Sequence, residues 1–300
     1  MKQHYISVFH LLHFSSKKRR GHARIGKANV SDSGMLENAN TARIETVASE
    51  TDLYERYSLT PNMVEHRLGG VESNASPALR HLIAYVPEPY NSSYKMDGKA
   101  SAHLALYVYT LILRHPSRLD SEQNREMIAS ALGKSPSAVV DDDFVTLLQY
   151  MNARRLNVEF EDAYVVKTIT PVVMSVENPV LVDGNRIVMP LSNNRVLFAT
   201  LKVSPFMRQS PMFIPFFRER ANAGAALYLS ELLLNAVWTQ GNGRSAFVYH
   251  VLDKDYVMKR LFAIKKDHPA DRPKLTDFTP VFEDFSGEAT VSFRRATIEP

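Results

Sequence analysis

Two glutamates on one predicted helix are spaced for acid–base chemistry. Glu65 and Glu72 are seven residues apart, so on a helix they share nearly one face, about 10 Å apart along the axis. Both lie at the edge of an apolar stripe that contains Val64, Leu68 and Val71. Partial burial at such an edge raises the pKa of a carboxyl group and suits it to general acid catalysis. The alternative is that each glutamate pairs with a basic residue beside the core.

A polar line runs along a second helix, predicted over residues 100–113 and otherwise apolar on nearly all sides. Its members are spaced four, three and four residues apart and therefore share one side: His103, Tyr107, Thr110 and Arg114. Polar groups on a buried helix need partners. Arg114 would hold an anionic substrate group through a forked contact, with Tyr107 beside it. Alternatively, Arg114 caps its own helix and pairs with Glu72.

The N-terminal segment carries a candidate catalytic imidazole. Residues 3–14 are rich in aromatic and branched side chains, which favours a strand. His4 is a candidate general base or metal ligand, with Gln3 orienting a ring nitrogen and Tyr5 contacting substrate. On a regular strand, His4 and His10 would share a face. The alternative is a structural histidine.

Asn178 stands before Pro179, where a tight turn between strands is expected. Its amide would either bond the backbone of its own turn or point into a cleft at the edge of the sheet. In the second case Asn178 would join the catalytic residues.

Metal ligands are harder to assign. Cysteine is absent, which excludes thiolate nucleophiles, disulfides and cysteine-based zinc sites. Asp141, Asp142 and Asp143 suit a helix N-terminus, where negative charge meets the positive end of the helix dipole. A divalent metal is a candidate cofactor. The three aspartates are not assigned as its ligands, because neighbouring residues on a helix point in different directions.

The charge distribution permits an anionic partner. Lys and Arg number 36 against 32 Asp and Glu, a formal charge of +4. A basic run could contact the phosphates of a nucleic acid or nucleotide, or form a solvated loop: Lys17, Lys18, Arg19 and Arg20. No stretch reaches the roughly 18 apolar residues that a membrane span needs. This run also follows the apolar N-terminal segment, whereas a secretory signal carries its charge in front. The sequence predicts a cytoplasmic protein with no membrane partner.

The order of predicted elements favours an α+β fold. Short strands and loops occupy the first sixty residues, and helices follow over residues 60–82, 100–113, 120–132 and 141–151. Strands dominate residues 164–203, with a hairpin turn at residues 183–185, and a helix over 223–239 and a strand at 289–294 complete the chain. Because strands and helices do not alternate, we expect one domain over residues 1–300. In it, an antiparallel or mixed sheet of N-terminal and middle strands packs against a helical layer.

Five short motifs occur in the order of a known family. Gln3-His4-Tyr5, continuing through Phe9 to Phe14, is similar to the opening motif QHYVPxxYLxxF of the domain of unknown function family 4238. Residues 65–72 resemble its ExxLxxxE and residues 114–116 its RxP, while residues 175–180 and 187–192 resemble TSDNPV and IxxPLS.

This resemblance covers residues 3–250 and leaves residues 251–300 as an extension that is partly strand. Ser7 and Glu177 depart from the family pattern, which has proline and aspartate at these positions. The longer Glu177 side chain puts a metal-ligand or acid role there in doubt. The family implies a bacterial or phage protein but assigns no reaction to these residues.

Two functions fit these residues. The first is a hydrolase for a phosphate-bearing or nucleic-acid substrate, whose catalytic His4, Glu65, Glu72 and Asn178 would converge with Arg114 around one cleft. The second is a non-catalytic binding protein of mobile elements or phage–host conflict. It would use a broad exposed patch, for which the candidates are Phe206, Phe213, Phe216 and Phe217 with Pro205, Pro211 and Pro215. Alternatively, this aromatic segment is a loop that covers the core.

Overall fold

The chain folds as an α+β protein in the parts that its structure describes. The structure is a computed structural model. It describes residues 2–15, 23–30, 36–58, 60–86, 92–119, 121–152, 157–169, 175–176, 178–204, 211–219, 244–248, 278–285 and 288–295. The predicted helix at 223–239 and the basic run Lys17, Lys18, Arg19 and Arg20 lie outside these residues.

The four helices predicted between residues 60 and 151 are present with small changes at their ends. The described helices are α1 Val8–Leu11, α2 Met63–Ala84, α3 Gly98–Leu113, α4 Pro116–Leu119, α5 Glu122–Leu132 and α6 Asp142–Asn152, and of these the short α1 and α4 were not predicted. The apolar stripe predicted on α2 is buried: Val64, Leu68, Val71, Ala75, Leu79 and Leu82. Among the described helices, none combines the length and apolar character needed to cross a bilayer.

Local capping chemistry explains where the helices begin and end. α2 starts at Met63 rather than at Thr60, because Asn62 takes a left-handed conformation with φ 60°, which asparagine tolerates better than most residues. Asp97 caps α3 by accepting hydrogen bonds from two backbone N–H groups. α5 ends at Gly133, whose φ of 67° favours glycine.

Fourteen strands form three sheets in the described residues. The strands are β1 Lys2–His4, β2 Arg24–Val30, β3 Leu36–Arg43, β4 Ser49–Thr51, β5 Ser93–Met96, β6 Asn157–Lys167, β7 Ser175–Val176, β8 Leu181–Asp183, β9 Arg186–Ser192, β10 Arg195–Ser204, β11 Met212–Glu219, β12 Arg244–Val248, β13 Phe278–Phe285 and β14 Glu288–Arg295. The largest sheet has the order β13-β14-β11-β6-β10-β9-β8, with β5 paired to β11. It is mixed, because β11 runs parallel to both β6 and β14. The predicted hairpin joins β8 to β9.

The N-terminal strands correct the predicted topology. They do not join the large sheet: β1 pairs with β4 alone, and β2 and β3 form a four-stranded sheet with β12 and β7. The strand predicted through residues 3–14 is also wrong beyond His4, because residues 8–11 form α1 and residues 12–14 a 3₁₀ turn. The N-terminal segment therefore has its own small core, which includes Ile6, Leu11 and Phe14.

The large sheet uses its two faces differently. One face packs on α2 and α3, and Leu197, Ala199 and Leu201 of β10 belong to that core. On the opposite face, the rings of Phe198 in β10 and Phe293 in β14 lie 5.4 Å apart, centroid to centroid. β11 and β6 separate these strands, so a flat sheet would hold the two residues about 14 Å apart. The sheet is therefore strongly curled, with a concave face turned away from the helices.

Candidate functional site

The pairing of β1 with β4 fixes the backbone of His4. His4 lies directly opposite Ser49 in this pair. The neighbouring Gln3 is fully buried. Its Oε1 accepts a hydrogen bond from the backbone N–H of Tyr54 at 2.6 Å, and its Nε2 donates to Glu55 Oε1 at 2.6 Å. Gln3 therefore anchors the strand and does not orient the imidazole, contrary to the expectation above.

One ring nitrogen of His4 has a hydrogen-bond partner, and the other has none among the described residues. The ring hydrogen-bonds the backbone of Glu45. Its Nε2 is buried without a hydrogen-bond partner among the described residues, and so is the Oγ of the facing Ser49. Burial lowers the pKa of His4 below its usual value and outweighs the opposing effects of the Glu45 backbone and of Glu72. His4 therefore carries a neutral ring at pH 7, as a general base requires.

Arg114 links this segment to α2 and α3. The side chain is 1% exposed, and its Nη1 donates to Glu72 Oε1 at 2.6 Å. Its Nε donates to the backbone carbonyl of Tyr5 at 2.9 Å, and its own carbonyl accepts from the hydroxyl of Tyr54 at 3.3 Å. The predicted pairing with Glu72 is thus observed, while Nη2 has no partner in the described parts of the chain.

Glu65 completes the group from the first turn of α2. Its Oε2 is buried and lacks a hydrogen-bond partner within the described chain. Burial raises the pKa of Glu65 to about 7; the charge of Arg114 opposes this shift and that of Glu72 adds to it. At neutral pH a substantial fraction of Glu65 is therefore protonated and able to donate.

The structure thus brings four predicted residues together. The charges of Arg114 and Glu72 act on both His4 and Glu65, which places all four within electrostatic reach of one another. His4 Nε2, Glu65 Oε2 and Arg114 Nη2 are buried and unpartnered in the described structure. Buried polar atoms of this kind are rare. The arrangement offers a neutral base, a protonated acid and a fixed cation, the set needed for general acid–base chemistry on an anion.

Tyr107 belongs to a separate buried network. His10 Nε2 faces the carbonyl of Pro190 at 2.8 Å and must donate to it. Nδ1 of the neutral ring therefore accepts from the Tyr107 hydroxyl, 3.2 Å away, and Ser7 shares a hydrogen bond with the same hydroxyl. Burial lowers the pKa of His10 to about 3, which keeps the ring neutral. These contacts anchor the N-terminal segment on α3 and do not favour the predicted substrate contact of Tyr107.

The remaining predicted residues have structural partners. The Tyr5 ring packs edge-on against His115, with centroids 5.6 Å apart. Asn178 is buried, and its Oδ1 accepts a hydrogen bond from the Val180 backbone at 3.4 Å, the local bond by which asparagine stabilises turns. The contacts that unite His4, Glu65, Glu72 and Arg114 do not involve Asn178, so its catalytic role stays a prediction.

No group of three or more histidine, aspartate or glutamate side chains suited to a metal ion occurs in the described residues. The predicted placement of the aspartates at the start of α6 is observed. Asp143 pairs with Lys134 at 2.5 Å and accepts from the Val140 backbone. These bonds outweigh the effect of burial and lower the pKa of Asp143.

The aromatic segment proposed for partner binding divides between two environments. Phe216 is buried in the core, whereas Phe213 is 62% exposed and Phe217 is partly exposed. Phe206 and Pro205 lie outside the described residues. Pro211, Phe213, Pro215 and Phe217 line one cavity on the concave face of the large sheet.

Sequence patterns did not identify Ser49 or Tyr54 as neighbours of the site. Ser49 reaches it through the register of two three-residue strands, which are too short to show periodicity. The Tyr54 hydroxyl bonds the carbonyl of Arg114, sixty residues further along the chain. The only available signal was the aromatic residue itself in a polar turn.

The fold is therefore α+β. A buried group formed by His4, Glu65, Glu72 and Arg114 lies at the edge of its helical layer. The chain belongs to the family described as "Protein of unknown function (DUF4238)", whose sequence model matches residues 2–160. The match includes His4, Glu65, Glu72 and Arg114 but ends before Asn178 and before the two later motifs. No curated protein and no solved structure matches this chain.

Proposed function

We propose that this protein is a cytoplasmic hydrolase of phosphate-bearing substrates, with nucleotides and nucleic acids as the leading classes. His4, Glu65, Glu72 and Arg114 form its active site. One observation carries the proposal: an imidazole nitrogen, a carboxyl oxygen and a guanidinium nitrogen are buried together without partners in the described structure. Such atoms are costly unless a ligand or water completes their hydrogen bonds.

Each group has a role that follows from its surroundings. Arg114 Nη2 binds a non-bridging phosphate oxygen, while Glu72 holds the guanidinium in place through Nη1. His4 Nε2 accepts a proton from a water molecule, whose oxygen forms a new bond to phosphorus. Glu65 gives its proton to the leaving oxygen as the phosphorus–oxygen bond breaks. The proton on His4 then returns to Glu65 through solvent, which restores both groups.

The pH dependence of activity follows from the same two groups. His4 must be neutral, and its pKa lies below the usual 6.5. Glu65 must be protonated, and its pKa is about 7. We expect kcat/KM to rise with pH through the His4 ionisation and to fall above about 7 as Glu65 loses its proton. Initial rates measured from pH 5 to 9 check this bell shape. A rate that stays flat to pH 9 would contradict the assignment of Glu65.

The direct test compares conservative variants on simple phosphate esters. Hydrolysis of phenyl phosphate, diphenyl phosphate and ATP is measured for the full chain, each with and without Mg²⁺, because a phenolate leaving group is basic enough to need the proton of Glu65. Glu65→Gln keeps the shape of the side chain but removes the acid, and we expect kcat to fall roughly 100-fold or more. Glu126→Gln on α5, where the side chain is exposed, is the matched control and should retain full activity.

A second pair of variants tests the imidazole. His4→Ala should lower kcat by a similar factor, while His66→Ala, at an exposed position of α2, should not. Circular dichroism verifies that each variant is folded. Equal rates for folded Glu65→Gln and the wild-type protein, or no turnover of any ester, would overturn the proposal.

The competing function is a non-catalytic interaction protein of mobile elements or phage–host conflict. With that function, the contacts of Arg114 with Tyr5, Glu72 and Tyr54 would serve the fold alone. In that case Glu65→Gln would change stability but no reaction rate.

A further inference from the structure

The concave face of the large sheet forms a cavity of about 680 Å³. Six aromatic rings from five strands line it: Tyr164, Phe198, Phe213, Phe217, Phe282 and Phe293. None of the residues of the proposed active site does so. The size falls within the range of small-molecule pockets, which are lined by apolar and aromatic side chains. The cavity is therefore a candidate ligand site distinct from the one above.

The aromatic side chains of the cavity pack against one another, and two of them are exposed. The rings of Tyr164 and Phe198 stack with centroids 5.0 Å apart, and Phe282 meets Tyr164 edge-on at 5.2 Å. Phe213 and Phe282 are 62% and 45% exposed. Large exposed aromatic residues around a concavity are typical of binding surfaces. A flat apolar group that entered here would contact ring faces and edges on several sides.

A polar row borders these rings. Residues i and i+2 of a regular strand share a face, so Thr200 lies next to Phe198 on β10. Asp162 lies at the register shift of β6 opposite Thr200 and also lines the cavity. Thr200 pairs with Arg186 of the neighbouring β9. All three polar residues line the cavity. The row thus presents a carboxylate and a guanidinium on either side of a hydroxyl.

The two outer charges of this row are not neutralised within the described structure. Lys202 pairs with Glu161, the other acidic residue of the lining, at 3.3 Å. Asp162 and Arg186 make no ion pair with any described residue, and both side chains are exposed. An anionic ligand alone would meet repulsion from Asp162, and a cationic ligand alone would meet repulsion from Arg186. A ligand with both charges complements the row.

We infer that this cavity binds a small zwitterion of the amino-acid type with an aromatic side chain. Its side chain lies among Tyr164, Phe198, Phe217 and Phe282. Its ammonium group contacts Asp162, its carboxylate contacts Arg186, and Thr200 bonds the carboxylate between them. The site is independent of the proposed hydrolase activity, because it lies on the opposite face of the sheet.

Calorimetry with three related probes tests the charge requirement. L-phenylalanine carries both charges, phenethylamine lacks the carboxylate and 3-phenylpropionate lacks the ammonium group. We expect L-phenylalanine to bind about tenfold more tightly than either of the others, the factor that corresponds to about 1.4 kcal/mol. Equal binding of all three probes, or no binding of L-phenylalanine, would overturn the inference.

Variants assign the two charges separately. Asp162→Asn should weaken L-phenylalanine binding about three- to tenfold without weakening 3-phenylpropionate, because an exposed charge contact is modest in energy. Arg186→Gln should weaken L-phenylalanine without weakening phenethylamine. Unchanged L-phenylalanine affinity in either variant would contradict the inference.

Matched control variants test whether these changes in affinity are specific to the residues that line the cavity. Asp284→Asn and Lys167→Gln remove one charge each from strands of the same sheet outside the lining, and both should bind L-phenylalanine like the wild type. Phe282→Leu should weaken all three probes, because the exposed ring contributes aromatic contact. Glu65→Gln should leave binding unchanged, so failure of the hydrolase proposal and failure of this inference are distinguishable.

Discussion

Two buried arginines in this fold have different partners, and their pKa values shift in opposite directions. Arg114 is 1% exposed and pairs with Glu72. Burial alone would lower its pKa, but the charge of Glu72 more than compensates and raises it. Arg195 is 5% exposed, and its pKa is lowered by burial. No described carboxylate pairs with Arg195. Nη1 donates to the carbonyl of Leu82 at 2.6 Å, and the Phe216 ring lies 5.9 Å from the guanidinium carbon.

The difference shows two ways to accommodate a buried cation. Arg114 relies on a full opposite charge, so its removal would leave Glu72 without a partner. Arg195 relies on partial charges: Leu82 lies in the last turn of α2, where the helix dipole is negative, and an aromatic face attracts a cation. Removing Arg114 would leave the charge of Glu72 unpaired, and the loss of one partner of a buried ion pair costs several kcal/mol. The arrangement around Arg195 leaves no charge behind when the arginine is replaced.

The largest predicted effect is the loss of Arg114. Arg114→Met should lower the free energy of unfolding by about 3–5 kcal/mol, since it leaves Glu72 unpaired and the carbonyl of Tyr5 without its donor. Urea denaturation at pH 7 measures this change. Arg80→Met, at an exposed position of α2, is the control and should change stability by less than about 0.5 kcal/mol. A similar small change for Arg114→Met would contradict the role given to this ion pair.

An intermediate effect is expected from Glu65, which shares the region of Arg114. Its pKa is about 7 in the folded protein against 4.5 for the free side chain. The folded state therefore binds more protons between these values, and stability falls as pH rises from about 4.5 to 7. Partial solvent exposure limits the loss to about 2 kcal/mol.

Glu65→Gln should remove this pH dependence and make the variant the more stable protein at pH 8. Urea denaturation of both proteins from pH 5 to 8 checks the sign. Parallel stability curves for the two proteins would show that Glu65 does not titrate in this range.

The smallest effect is expected at Arg195. Arg195→Met replaces a charge without an acidic partner by an apolar side chain of similar length, so the free energy of unfolding should change by about 1 kcal/mol or less. The same urea measurement compares it directly with Arg114→Met. A loss of 3 kcal/mol or more, on the scale set by broken buried pairs, would mean that the helix end and the aromatic ring stabilise the cation as strongly as a carboxylate does.

Periodic segments could be predicted from the sequence, and short ones could not. The apolar spacing on α2 and the turn between β8 and β9 are local signals, and both are observed. The pairing of Arg114 with Glu72 was one of two alternatives, because a pattern identifies candidate partners but not the choice between them. The N-terminal strand through His10 was wrong: four-residue α1 shows no period, and the long-range bond of His10 to Pro190 has no sequence signature.

Part of the candidate site could likewise be predicted from the sequence. Residue types and helix spacing predicted that His4, Glu65, Glu72, Arg114 and Asn178 would converge, and the observed electrostatic contacts link the first four without Asn178. The facing Ser49 depends on strand register between distant segments, and the orientation of Gln3 toward Tyr54 depends on a turn that no pattern specified.

The bond between His10 and the carbonyl of Pro190 spans 180 residues. During synthesis, the ribosome releases the N-terminal segment long before its acceptor in β9 exists. One bond that secures the segment carrying His4 therefore forms only after more than half of the polypeptide has emerged, although its contacts with Tyr54, Tyr107 and Arg114 involve earlier residues. The acidic and basic neighbours of His4 all precede residue 115, so a nascent chain halted before residue 190 would contain them but would lack this bond to β9.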